Sequence, residues 1–449
     1  MPTSFPKPSC KALWRSAAAL SLLIVGCGPS TQFYKDVDEY ASRGEYQKAA
    51  AEVKENEASY GDKSTVLYKL DLGALYHYAG EPDSSNRYLF EAEKQIEDLY
   101  TKSISLTALS FVLNDNVIPY EGEDFEKVLV NLFLALNYAS EGLDEDALVE
   151  ARKVDLKLRE YARQYEGKNK YQDDAFIRYV AGVLYENEGE INDAFISYKK
   201  SYEAYGIYER EYGTKPPEFL LDDLVRTGKY LAFDDEVEAY KKLGGRDPVG
   251  VGERSGGIVV VAYAGKGPVK IEERPTVSIP DSSGTLHTFQ IALPKFVPRF
   301  RSGRWYSVTL SGVGDTMHAR ARLAEDITTI AGKSLEDRLG LIYLKSGGRA
   351  LAKFLASEKA KRDIKEGSEN KLRNFLASLA LDVAVGVSEQ ADTRSWRTLP
   401  AEIHLARINL APGNYSLSVS SSDGGYTLKD EVVDVKPGRT SFIIVDDLR

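Results

Sequence analysis

Four times in its first half the chain places a glycine four residues after a tyrosine and a small residue five beyond the glycine. The triplets are Tyr40/Gly44/Ala49, Tyr76/Gly80/Ser85, Tyr138/Gly142/Ala147 and Tyr185/Gly189/Ala194. Around each one Tyr, Ala, Leu, Glu and Lys recur at helical spacing, and prolines are few. Glycine ends a helix readily because it adopts the left-handed backbone of a C-terminal cap. A small residue early in the next helix lets the two helices cross closely. Such a pair cannot bury its apolar face alone, so neighbouring pairs must stack. The recurrence confines the first half of the chain to a stacked helical array.

The triplet is similar to the middle of the tetratricopeptide repeat, and two copies carry more of it. Leu72-Gly73 precedes Tyr76, with Leu89 and Ala92 behind; Ala181-Gly182 precedes Tyr185, with Tyr198 and Ser201 behind. The turn glycines stand 36, 62 and 47 residues apart, against a regular period of about 34, so the repeats are degenerate. The long gap holds Thr101–Glu121, with Asn114-Asp115-Asn116 and Pro119, and reads as a short helix and a loop. Pro217–Leu243 reads as a fifth helix pair. In such arrays the first helix of each pair lines a groove. The glycine register puts His77 and Tyr78 there in the second repeat, and Tyr179, Glu186 and Asn187 in the fourth. A mixed aromatic and polar groove suits an extended peptide or another protein's helix, although the same rings serve equally well as cover for a packed core.

Composition changes near residue 244. A Gly-rich stretch, 244–256, reads as a linker. Beyond it Gly257–Ala264, His287–Ala292, Trp305–Leu310, Ala401–Asn409, Tyr415–Val419, Tyr426–Val435 and Thr440–Val445 read as strands, rich in β-branched and aromatic residues between turn signals. Helices are expected from Leu335, capped by Ser334, to about Arg362, and from Leu372 to about Val387. The fold class is therefore α+β in several domains. Helical repeats over 27–243 precede a β-sandwich-like module over 257–449, which carries a helical insertion at about 325–388. The array is expected to fold without the module.

The first 26 residues read as a signal segment. Lys7, Lys11 and Arg15 precede a short apolar run from Ser16 to Val25, shorter than the roughly 20 residues of a membrane span. Ile24-Val25-Gly26-Cys27 resembles the lipobox of bacterial lipoproteins. The resemblance implies cleavage after Gly26 and a lipid on Cys27, and Gly28 at the next position implies the outer membrane, with the body in the periplasm. Of two cysteines, Cys10 leaves with the signal and Cys27 is consumed by lipid, so no thiol chemistry remains. The chain carries 58 Lys+Arg and 68 Asp+Glu, a net charge of −10. Loss of three basic residues with the signal makes it −13. An acidic, evenly mixed surface speaks against nucleic acid.

No catalytic constellation stands out. The histidines, His77, His287, His318 and His404, fall in four different elements without metal-ligand spacing, and neither metal nor cofactor is expected. Gly332-Lys333-Ser334 has Ile327 where a phosphate loop needs glycine, and Ser197-x-x-Lys200 lies on a repeat helix without the partners of a serine–lysine nucleophile. Asp173-Asp174 and Asp222-Asp223 sit at helix starts, where a solvated face explains them. A second recognition candidate is Ala391–Pro400, in which Arg394 and Arg397 flank Trp396. Arg and Trp dominate binding hot spots, but the tryptophan serves as well to plug the junction of helices and sandwich. This decapeptide, with Ala401-Glu402-Ile403, Pro412-Gly413 and the repeat stretch Phe125–Val154, is similar to a group of tetratricopeptide-containing bacterial lipoproteins. That resemblance implies an envelope role and assigns no catalytic residue. The expectation is a scaffold, not an enzyme, that binds an envelope protein or peptide through its helical groove. A carboxylate-dependent wall- or carbohydrate-active enzyme and a structural subunit of an outer-membrane assembly are the alternatives.

Overall fold

A computed structural model describes residues 32–112, 118–166, 170–247, 255–280, 286–299, 303–312, 316–340, 342–343, 346, 390–423 and 425–449. Helix pairs form where the triplets predict them: α1 (Tyr34–Ser42) with α2 (Tyr46–Glu55), then, after the single turn α3 (Glu57–Tyr60), α4 (Thr65–Tyr78) with α5 (Pro82–Val112). They continue as α6 (Asp124–Glu141) with α7 (Asp144–Gln164), α8 (Ala175–Asn187) with α9 (Ile191–Tyr212), and α10 (Glu218–Tyr230) with α11 (Asp234–Lys242). Each turn closes by the same bond. The amides of Glu45, Glu81, Leu143 and Glu190 donate to the carbonyls of the repeat tyrosines Tyr40, Tyr76, Tyr138 and Tyr185, each at 2.9 Å. Gly44, Gly80, Gly142 and Gly189 hold φ between +70° and +77°, the left-handed cap that glycine permits. The fifth turn repeats the bond, Phe233 to Gly228, but bends through Ala232 at φ +57°.

Close crossing follows as the sequence predicts. A Cβ on Gly73 would stand 2.5 Å from Leu89, and one on Gly182 would collide with the Tyr198 ring. One expectation is altered in this half: α5 continues to Val112 in place of a separate short helix, whereas 118–123 is loop, as expected.

The second half supplies two four-stranded sheets. The strands are β1 (Gly256–Lys266), β2 (Val269–Glu273), β3 (Thr276–Pro280), β4 (Leu286–Gln290), β5 (Leu293–Val297), β6 (Tyr306–Ser311), β7 (Met317–Arg320), β8 (Arg322–Asp326), β9 (Pro400–Leu410), β10 (Gly413–Ser421), β11 (Thr427–Val435) and β12 (Thr440–Asp447). An inner sheet runs β12-β1-β9-β8 and an outer sheet β11-β10-β6-β7; β2–β5 and β3–β4 form separate ladders. Strands from before and after the central stretch thus interleave in both sheets, as expected. β1 is parallel to β12 and antiparallel to β9. The short strands β2, β3, β5, β7 and β8 escape the sequence reading, being only four or five residues long and, in most, broken by Lys, Glu, Arg or Pro.

β1 is buried along both faces. Ile258, Val260, Ala262 and Ala264 point into the core between the two sheets. Val259, Val261 and Tyr263 point the other way and belong to one continuous core with the helices. That core also takes in Ala324, Ile327, Trp396, Ile403, Leu405, Phe442 and Leu448. The molecule is layered: helices, inner sheet, outer sheet. The array's inner wall is the back of a sheet, which bears against the expectation that it folds by itself. The linker does not separate two cores either; Gly245 packs on Val225, and Arg246 is bound to Asp222. The helix after β8, α12 (327–340), begins at Ile327, and Asp326 caps it by accepting from the Thr329 amide at 2.8 Å. Ser334 therefore lies within that helix and caps nothing. The expected helix Leu372–Val387 and Cys27, the expected site of lipid, lie outside the described residues.

Candidate functional site

All eight residues marked for partner binding converge on the seam between the helices and the inner sheet, and each is engaged there by the chain itself. His77 sits near the end of α4, where a helical groove would be open. Its Nδ1 lies 2.5 Å from Asn137 Oδ1 and its Nε2 2.8 Å from the Tyr263 hydroxyl of β1. Asn137 spends its amide hydrogens on Ser85 and Asn86, so its oxygen accepts from Nδ1–H and Nε2 accepts from Tyr263. Burial drives the His77 pKa down to about 4, which leaves a neutral imidazole with both nitrogens used. The Tyr78 hydroxyl donates to the Thr398 carbonyl at 3.0 Å.

The fourth repeat is sealed in the same way. Asn187 accepts from the Thr440 amide at 2.7 Å and donates to its carbonyl at 2.9 Å, so its side chain imitates a neighbouring strand for β12. Tyr179 donates to Asp223 at 2.8 Å. Glu186 receives Arg226 of α10, Arg407 of β9 and the Tyr198 hydroxyl. Burial alone would raise its pKa, but the Arg226 and Arg407 guanidiniums outweigh that and bring it to about 2. Arg407 also reaches Asp223 at 3.4 Å.

The decapeptide Ala391–Pro400 plugs the seam's other end. Arg394 pairs with Asp392 and donates to the carbonyls of Lys63 and Ile118, both at 3.0 Å. Trp396 is 1% exposed; its ring lies 5.6 Å from Phe133, its amide donates to Glu126 and its indole N–H to Thr398. Arg397 lies 4.4 Å over the Tyr34 ring. The groove reading of His77, Tyr78, Tyr179, Glu186 and Asn187 and the hot-spot reading of Arg394, Trp396 and Arg397 are therefore corrected. The ligand in this groove is the protein's own sheet. Burying Val259, Val261 and Tyr263 against it removes apolar surface from water that a free groove would leave exposed.

Several buried charges escaped the sequence reading. Asp71, fully buried, accepts from Tyr34, Tyr60 and Thr398. Asp174 does cap α8 through the Ile177 amide, but it is buried, bound to Tyr171, and pushed up to about 6 chiefly by burial. Asp223 is likewise buried, so neither belongs to a solvated face. Glu126 accepts from Tyr120 and from the Glu123 and Trp396 amides; burial and the adjacent Glu123 push it up to about 7. Glu123, despite burial, is drawn down to about 2 by Lys270 and Arg338. A tyrosine hydroxyl donates to nearly every carboxylate of the seam, which gives the abundant tyrosines a task beyond bulk. A signal was available. Asp71 stands between Leu70 and Leu72, and Arg407 in an apolar strand, where a charge needs a buried partner.

Among the described residues no group of three or more His, Cys, Asp or Glu side chains is placed to hold a metal ion, and no helix is long and apolar enough to cross a membrane. Beside the seam, α10 meets β7 and β9 at a cleft of about 300 Å³. No protein-family model and no curated protein matches the chain. A solved structure of MamA from AMB-1 matches 47% of this chain and 86% of its own at 17% identity, with a TM-score of 0.28. That likeness is too loose to assign a fold or a role.

Proposed function

We propose that this chain is a lipid-anchored binding scaffold of the bacterial cell envelope, held at the outer membrane by Cys27, and not an enzyme. The observation that carries the reading is the closed seam. The helical array and the inner sheet share one core, and the carboxylates between them are already bound by tyrosines, arginines or backbone amides. Such a body presents fixed surfaces, as a scaffold requires. Partners are engaged on its outside, since the inner groove is filled. The lipobox resemblance of Ile24–Cys27 supports the anchor, and the acidic balance supports a body that stands off anionic lipid.

The experiment has two arms. Labelled palmitate should enter the native protein and not a Cys27→Ser variant, and the label should follow the outer membrane on a sucrose gradient. Cross-linking of the lipidated full-length chain in intact cells should then yield a reproducible protein partner. Palmitate retained by Cys27→Ser overturns the anchor. Absence of any cross-linked partner, together with turnover of a wall glycan by the purified protein, overturns the scaffold in favour of an enzyme.

A further inference from the structure

Among the described residues the inner sheet is one strand short at one corner. β8 pairs with β9 from Glu402 to Leu405 only, yet β9 runs on to Leu410. At Ala321 the chain leaves this sheet. The Ala321 amide donates to the Tyr306 carbonyl of the outer sheet, where β7 pairs with β6. The lane that β8 would have occupied beside the second half of β9 is the cleft of about 300 Å³, with Arg407 and Asn409 lining it.

Among the described residues no strand pairs with β9 along this lane. Gly257 donates its amide to Arg439, on the β12 side of β1. Alternation then turns Ile258 toward β9, where it stands opposite Ile408. Ile408 therefore turns its amide and carbonyl to β1, and Arg407 and Asn409 turn theirs into the cleft. One wall is α10 and the other is β7. Ala319 lines the cleft although its side chain packs into the sandwich core, so β7 meets the cleft along its backbone edge.

Guanidinium groups ring the opening. Arg246 and Arg322 make exposed pairs with Asp222 and Glu218, which water and salt weaken. Arg320 lies 4.6 Å over the Trp305 ring and has no carboxylate partner among the described residues. A short charged edge also guards a sheet against unwanted pairing. A guard, however, needs no cleft beside it, nor an arginine without a carboxylate partner.

We propose that this slot takes a short extended segment of a partner protein as an added strand beside Arg407 and Asn409, with a carboxylate of that segment held by Arg320. The inference rests on the scaffold reading and gives it a place and a ligand chemistry: an acidic extended peptide, bound by backbone pairing for affinity and by guanidinium for choice.

The test passes a random heptapeptide library over the full-length protein and over its Arg320→Glu variant, a change at an exposed rim position. The pool retained by the native protein should be enriched in Asp and Glu, and the enrichment should vanish on the variant. A retained peptide is then synthesised with N-methyl groups on alternate amides, in both registers. One register should weaken binding by roughly tenfold or more, the loss of a backbone hydrogen bond or two, and the other should leave it unchanged. No retained peptide, a pool without acidic enrichment, a pool indifferent to Arg320→Glu, or equal loss in both registers overturns the proposal. The two readings fail separately. Envelope cross-links that persist in Arg320→Glu remove the slot and keep the scaffold, whereas a native protein that yields no cross-links and turns over a wall glycan removes the scaffold.

Discussion

The two sheets of this protein have the same number of strands and opposite surroundings. The outer sheet meets the core on one face and water on the other, so β6 alternates buried and half-buried residues and β11 leaves Val432 74% exposed. The inner sheet is covered twice, by the outer sheet and by the helices, and β1 is buried at ten consecutive positions. The difference is written in the residues. Ile258-Val259-Val260-Val261-Ala262-Tyr263-Ala264 is an unbroken apolar run, the signature of a strand with two dry faces. Alternation identifies a sheet's free face, and its absence announces a second layer.

The comparison breaks most visibly at Val261. Val261→Asp would put an unpaired carboxylate into the core that helices and sheet share, and should cost more than about 4 kcal/mol. Urea denaturation followed by circular dichroism should show both the helical and the β signal lost in one shifted transition. Helices that survive the change unaltered would mean that the array does stand alone.

A gentler probe acts on Glu126, where α6 meets the decapeptide. Its folded pKa of about 7 lies above the ordinary carboxylate value. The protonated form is favoured by folding, so the contribution is fully present below about pH 4.5 and lost as pH rises through 7. Glu126→Gln removes this dependence. The variant's stability relative to the native protein should therefore climb between pH 5 and pH 8, by up to ~3 kcal/mol. Denaturation midpoints of both proteins at the two pH values measure it, and a difference that does not move with pH would show that Glu126 stays ionised throughout.

The smallest effect is expected on the outer sheet. Val432→Asp alters an exposed position in β11 and should change stability by no more than about 0.5 kcal/mol. A large loss in the same denaturation assay would reveal a third layer on that face.

The helical half was legible down to single turns because its signals are local. A glycine that must adopt positive φ, and a glycine that must receive a neighbour's side chain, as Gly182 receives Tyr198, declare themselves within twenty residues. The strands Gly257–Ala264 and Thr440–Val445 were legible too. What could not be read was the docking of one half on the other. Tyr263 reaches His77 across 186 residues, and Trp396 reaches Glu126 across 270. No local pattern encodes such contacts, so residues that look like a recognition surface in sequence form an internal one. Seam residues and ligand-binding residues use the same chemistry, aromatic rings with polar tips. The polar charges inside apolar elements, Asp71 and Arg407, were the hint that these faces were covered.

The parallel pairing of Gly257 with Thr440 sets a clock for the molecule. In parallel register the partner strand cannot come from a tight turn, and here it arrives some 180 residues later in synthesis. Until residues 440–447 emerge, β1 lacks one neighbour and the helices have no finished surface to close upon. Contacts this distant are slow to form because the intervening chain must first be brought back. The fold is therefore completed only after the final strand has been made.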